Sequence, residues 1–158
     1  MTKKLRIESL ASGATAVVRL LEKEAPQTCR LIWDSLEQPM VTEGIHAMWV
    51  GPELMFVMPK ENQRGDPTKL PQENATAFPY PGDVLFMYVP AHGSKYYHDP
   101  IRDKPIWDFF IIYGPDPILG GGSCTVWGVV DEGLAALAEE SKRIRVEGTK
   151  PFRVERLP

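Results

Sequence analysis

Only two cysteines, Cys29 and Cys124, occur in the 158 residues, and neither has a second cysteine at the spacing of a metal-binding pair. That excludes a disulfide scaffold and a cysteine-built zinc site, and both thiols are expected to be free. Histidine is nearly as scarce, at three residues. A basic surplus is missing as well: 18 Lys and Arg stand against 21 Asp and Glu, a net charge of -3, so no nucleic-acid partner is expected. No apolar run approaches the roughly 20 residues that cross a bilayer, and the opening residues lead into strand-like sequence instead of a signal-peptide core. The expectation is a soluble, cytoplasmic protein without a membrane partner. Internal repeats are absent, and the one low-complexity tract is Gly120-Gly121-Gly122.

What is present is enough apolar sequence, 43%, for a core, in a length that suits one domain spanning 1–158. Fifteen prolines and thirteen glycines favour many short strands over a helix bundle. The centre of the chain is Ile106 to Leu137. There Phe109-Phe110-Ile111-Ile112 reads as a strand covered on both faces, Gly114-Pro115 stops it, and Cys124 to Val130 reads as a second strand. Asp131 stands where a cap would open a helix carrying Leu134 and Leu137.

Before this unit, Lys4 to Leu10 and Ala16 to Leu21 flank the Ser12-Gly13 turn as a hairpin. Pro26 then suits a first helical turn, with Cys29, Ile32, Trp33 and Leu36 at i, i+3, i+4 and i+7. Met40 to Val50 and Glu53 to Met58 form a second hairpin across Gly51-Pro52. Lys60 to Pro79 lacks apolar periodicity and reads as a surface excursion, and Val84 to Val89 is a further strand. Ala91 to Pro105 reads as a functional loop or an insertion. After the central helix, Arg143 to Val146 and Pro151 to Leu157 read as closing strands around Glu147-Gly148. Nine or ten short strands and two helices imply a mainly β, closed or nearly closed barrel with helices at its ends.

Three motifs in this order carry a resemblance. Phe109-Phe110-Ile111 is followed, after a loop, by the strand end Trp127 to Gly133 (WGVVDEG), and the first helix opens with Ala25-Pro26-Gln27-Thr28. Over most of its length the chain resembles the cyclophilin-like superfamily, which implies a closed cyclophilin-like β-barrel capped by two helices. The isomerase machinery of that superfamily does not carry over. Its arginine directly follows a histidine, whereas here His46 is followed by Ala47, and no arginine lies between Arg30 and Arg64. A hydrogen bond to a charged group contributes roughly 1.5–3 kcal/mol, about one to two decades of rate, so losing that arginine together with the apolar proline pocket leaves little isomerase activity. Phe110 is the family contact that is retained. The sequence is closer to the bacterial cyclophilin-like domains of unknown function: His46 and Trp49, then Gly82-Asp83 with Tyr88 and Pro90, then Tyr113-Gly114, match their pattern.

Candidate site residues follow. His46, an imidazole suited to acid or base work, and Glu53, across the tight hairpin from it, are the candidate catalytic pair; the alternatives are a hydrogen-bonded barrel histidine and a solvent-facing carboxylate. Trp49, Tyr88, Phe110 and Tyr113 are candidate ligand-binding aromatics, against simple core packing. Ser123, after the glycine tract, offers an anion cradle or merely a turn, and Cys124 is either a nucleophile or a buried small hydrophobe. His92, His98 and Asp99, together with His46, make too weak a pattern for a metal, so no metal or cofactor is expected. Tyr96, Tyr97 and Trp107 suit a lid or a subunit contact, so a homo-oligomer through 91–105 is an expected arrangement. The functional expectation is binding, with or without chemistry, of a small polar molecule on the barrel face. A prolyl isomerase of low activity and a non-catalytic interaction module are the alternatives.

Overall fold

The computed structural model describes residues 2–47, 50–93, 103–120 and 122–158. In chain order the elements are β1 (Lys4–Ser9), β2 (Thr15–Leu20), α1 (Pro26–Ser35), β3 (Met40–His46), β4 (Glu53–Val57), β5 (Ala75–Thr76), β6 (Asp83–Val89), β7 (Ile106–Ile112), β8 (Cys124–Glu132), α2 (Leu134–Glu147) and β9 (Lys150–Arg156). Hydrogen-bonded neighbours run β2-β1-β9-β3-β4-β7-β6-β8, and β8 pairs back onto β2, closing an eight-stranded antiparallel barrel; the two-residue β5 adds to β8 outside the ring. This is the closed, mainly β barrel with two helices that the sequence implies.

Strand alternation fills the interior. Leu5 and Ile7 of β1 and Val18 and Leu20 of β2 alternate with half-exposed neighbours, so one face of each strand points inward. They meet Phe56, Phe109, Phe152 and the fully buried Trp127 in one core, where the Phe56 and Phe109 rings stack at 5.1 Å. At Gly44 of β3 a Cβ would sit 2.5 Å from the Phe152 ring, so only glycine lets that ring lie flat on the strand. β7 is buried at every position, which is why its run of bulky residues is unbroken: Trp107, Phe109 and Ile111 face in, while Phe110 and Ile112 face a second apolar cluster outside.

The helices close the barrel. α1 sends Cys29, Ile32 and the following Leu36 into the core. Its N-terminus has no cap of its own; Glu73, from the 60–79 excursion, accepts from Gln27 N at 3.1 Å and Thr28 N at 2.9 Å. A distant carboxylate therefore ties the excursion to the helix. α2 buries Leu137, Glu140, Ser141 and Ile144, and the buried Glu140 is satisfied by Ser9 Oγ at 2.6 Å and the Arg143 guanidinium at 2.7 Å.

Three expectations are corrected. Arg143 to Val146 is the last turn of α2, not a strand, because Ile144 continues the helical stripe of Leu137 and Ser141 and Val146 points to solvent. Asp131 belongs to β8 and pairs with Lys4 and Arg19; the cap of α2 is Gly133, at φ 82°. Trp107 is no lid residue: it is 4% exposed, inside the barrel, edge-to-face with Phe86. Among the described residues no helix is long and apolar enough to cross a membrane.

Candidate functional site

Two centres form, one at the end of the barrel and one on its outer face. The first lies at the end of the barrel. His46 is the last residue of β3, opposite Leu54, and Tyr113 follows β7, held by its N–H to Pro52 O at 2.9 Å. Both share the inward parity of their strands. The Nδ1–H of His46 donates to Ala47 O at 2.7 Å, so the neutral ring presents Nε2 as an acceptor, and the Tyr113 hydroxyl donates to it at 2.6 Å. The rings meet edge-on at 5.7 Å. Burial raises the Tyr113 hydroxyl above its ordinary range, while Arg145 and Lys142 pull it back. Beside His46 an open cleft of about 410 Å³ is lined by Ala47, Gly51, Ile144, Arg145 and Thr149 among others. Arg145 is a cation reaching it from α2, and it went unrecognised in the sequence because its segment read as a strand.

The second centre is on the outer face of β4, β7 and β6. Leu54 and Phe56 point inward, so Glu53 and Met55 point out; Trp107, Phe109 and Ile111 point inward, so Asp108, Phe110 and Ile112 point out. In register, Glu53 lies opposite Ile112, Met55 opposite Phe110, and Val57 opposite Asp108; on the other side Phe110 faces Leu85 and Asp108 faces Met87. Two carboxyls thus bracket an apolar strip of Met55, Phe110 and Leu85. Glu53 is 4% exposed and Asp108 2%. Burial pushes Glu53 to about 7, and burial together with the Glu53 charge pushes Asp108 well above the carboxylate range. Cys124 looks onto the same charges: burial first, then Glu53 and Asp108, push its thiol to about 11. Asp108 was not singled out in the sequence, although a lone acid inside the run IWDFFII was the available signal.

The remaining candidates separate. Tyr88 packs against the inner core, and Phe110 belongs to the outer strip with Glu53. Ser123 is exposed ahead of β8 and meets neither centre's described groups by hydrogen bond. Trp49, Tyr96, Tyr97, His98 and Asp99 lie outside the described residues. His46 and Glu53 are neighbours along the β3–β4 ladder but face opposite sides of it. Among the described residues no group of His, Cys, Asp and Glu is arranged to hold a metal ion, and both cysteines are free.

The family described as "Protein of unknown function (DUF3830)" matches residues 8–155. This chain belongs to that family. The DUF3830 chain has no significant match among curated proteins. Among solved structures it is similar to the hypothetical protein AF2241 from Archaeoglobus fulgidus, at 22% identity and a TM-score of 0.59, covering 99% of this chain and 95% of that one. It is also similar to McbB in its complex with tryptophan, at 20% identity and a TM-score of 0.58; the match covers 96% of the DUF3830 chain but only 44% of McbB. A cyclophilin-type peptidyl-prolyl cis-trans isomerase from Cryptosporidium parvum matches 88% of this chain and 83% of its own, at 13% identity and a TM-score of 0.47. At these identities AF2241 and McbB speak to the fold alone.

Proposed function

We propose that this DUF3830 protein binds a small polar molecule bearing a carboxylate in the cleft beside His46. The observation that carries the reading is the 2.6 Å hydrogen bond from Tyr113 to His46, set at the edge of an open cleft that Arg145 and Thr149 also line. A guanidinium is the side chain best matched to a carboxylate, because its planar fork can donate two parallel hydrogen bonds. The His46–Tyr113 pair adds a device that can reverse. In the neutral ring Nε2 accepts; when the ring takes a proton Nε2–H becomes a donor to the Tyr113 oxygen, and the phenol O–H is released to another acceptor. A proton placed on His46 therefore frees the Tyr113 hydroxyl, which stands behind the cleft-lining His46, from its role as donor to the imidazole. This equips the cleft for acid–base work on its ligand. Prolyl isomerisation is not part of the reading, since Ala47 stands directly after His46.

The test is calorimetric titration of the protein with acetate, succinate, benzoate and, as an amino acid, tryptophan, the molecule named in the McbB complex. A carboxylate should bind; Arg145→Ala should weaken it by about tenfold or more, as loss of a charged hydrogen bond does, and His46→Ala, which removes the acceptor that orients the Tyr113 hydroxyl, should weaken it by less. Binding that is indifferent to both substitutions, or no binding of any carboxylate, would refute the proposal.

A further inference from the structure

The outer face of the barrel holds a feature that the cleft does not use and that packing does not explain. Glu53 Oε2 and Asp108 Oδ1 are both buried and have no hydrogen-bond partner among the described residues. The contrast with Glu140 is direct: that carboxylate is buried just as deeply, and it is satisfied by Ser9 and Arg143. Buried polar groups are paired in the great majority of cases, and an unsatisfied carboxyl costs stability that an apolar side chain of similar size would not. Two such groups on adjacent strands, facing the same way, call for a partner beyond the described residues.

We infer that Glu53 and Asp108, with the Met55–Phe110–Leu85 strip between them, form a second site, one that takes an ammonium group carried on an apolar body. The strip supplies apolar area for the body, and the carboxyl at either end supplies acceptors for N–H. An alkali or divalent ion fits less well, because no metal-holding group is found among the described residues and the floor of the site is hydrocarbon. Among the described residues the other titratable groups on this face are Cys124 on β8 and Asp83 on β6, which accepts from Tyr80 N at 2.7 Å. No lysine or arginine among the described residues offsets the rise at Glu53 or Asp108. Burial disfavours the charged form of both carboxyls when the site is empty, and binding shifts them toward it: the ammonium enters with its charge, and a carboxyl that still holds its proton gives it up to solvent. Val50 and Leu119, both outside the strands, pack against the cluster, so occupancy of the site requires these side chains to move aside.

The experiment titrates the full chain with phenethylamine, and with phenethyl alcohol as a neutral molecule of matching shape, in two buffers of unlike ionisation enthalpy. The amine is expected to bind with net proton release and the alcohol to bind far less. Glu53→Gln and Asp108→Asn should each weaken the amine by about tenfold to a hundredfold, as expected for one charge-assisted contact. Circular dichroism of both variants checks that the barrel is intact, so a loss of binding is not a loss of fold. Equal binding of amine and alcohol, failure of the amine to bind at millimolar concentration, or amine binding that survives both substitutions would overturn the inference. The carboxylate cleft stands or falls separately, because its probes carry no ammonium apart from tryptophan.

Discussion

Replacing Glu53 by glutamine isolates the energetic consequence of burying that carboxyl. In the folded protein it is pushed to about 7, against an ordinary 4.5 in the unfolded chain, and the cause is burial. Between those values the folded state keeps a proton that the unfolded state has lost, so unfolding releases it and stability falls as pH rises. The contribution is fully present below the unfolded value of 4.5 and is gone once pH has risen through about 7. At 1.36 kcal/mol for each tenfold change in proton concentration, the span from 4.5 to about 7 is worth about 3 kcal/mol. With 4% exposure little solvent screening reduces it. Glutamine keeps the shape and cannot ionise. Urea unfolding followed by tryptophan fluorescence should therefore show Glu53→Gln within about 1 kcal/mol of the parent near pH 5, and about 3 kcal/mol more stable near pH 8. Asp108, raised in the same direction, leaves a pH dependence of its own in the variant. Parallel pH profiles for the two proteins, or a variant less stable near pH 8, would show that Glu53 has a partner in the fold and would refute the reasoning.

Two further outcomes follow from the same packing. Gly133→Ala should cost about 3 kcal/mol or more by denaturant titration, because Gly133 sits at φ 82° and an added Cβ would run into Thr15 O and lie 2.9 Å from Ala16 Cα; a loss under about 1 kcal/mol would mean that the β8–α2 junction is free to adjust. Both thiols should label slowly with an aromatic disulfide near pH 8, at well under a hundredth of the rate of a free cysteine, because Cys124 is pushed to about 11 and Cys29 to about 12; prompt labelling of the native protein would contradict this.

The strands were legible wherever local chemistry and burial agree. β1 and β2 alternate because each has one wet face, and β7 is continuous because both of its faces are covered. The end of α2 was not legible. Ile144 and Val146 alternate like a strand, and only the docking of Leu137, Ser141 and Ile144 against the barrel shows that the helix runs on to Glu147. The candidate site divides in the same way. His46 and Tyr113 were marked by residue type and are joined by hydrogen bond. Arg145 was hidden by the misread segment, and Asp108 was concealed among aromatic neighbours whose burial hid its chemical meaning.

By itself the amino-acid order determined the class of the protein: a chain rich in turns, with short strands of period two and one unbroken apolar run, has to close its sheet to bury that much hydrocarbon. Which residues share a face was decided by the tertiary structure alone. His46 and Glu53 are seven positions apart and close on the β3–β4 hairpin, yet strand parity sends one into the barrel end and the other outward. Glu53 and Asp108 are far apart in sequence, and the pairing of β4 with β7 turns both toward the same outer strip. Parity and register belong to the closed ladder, and a linear sequence carries no record of which strand will lie beside which.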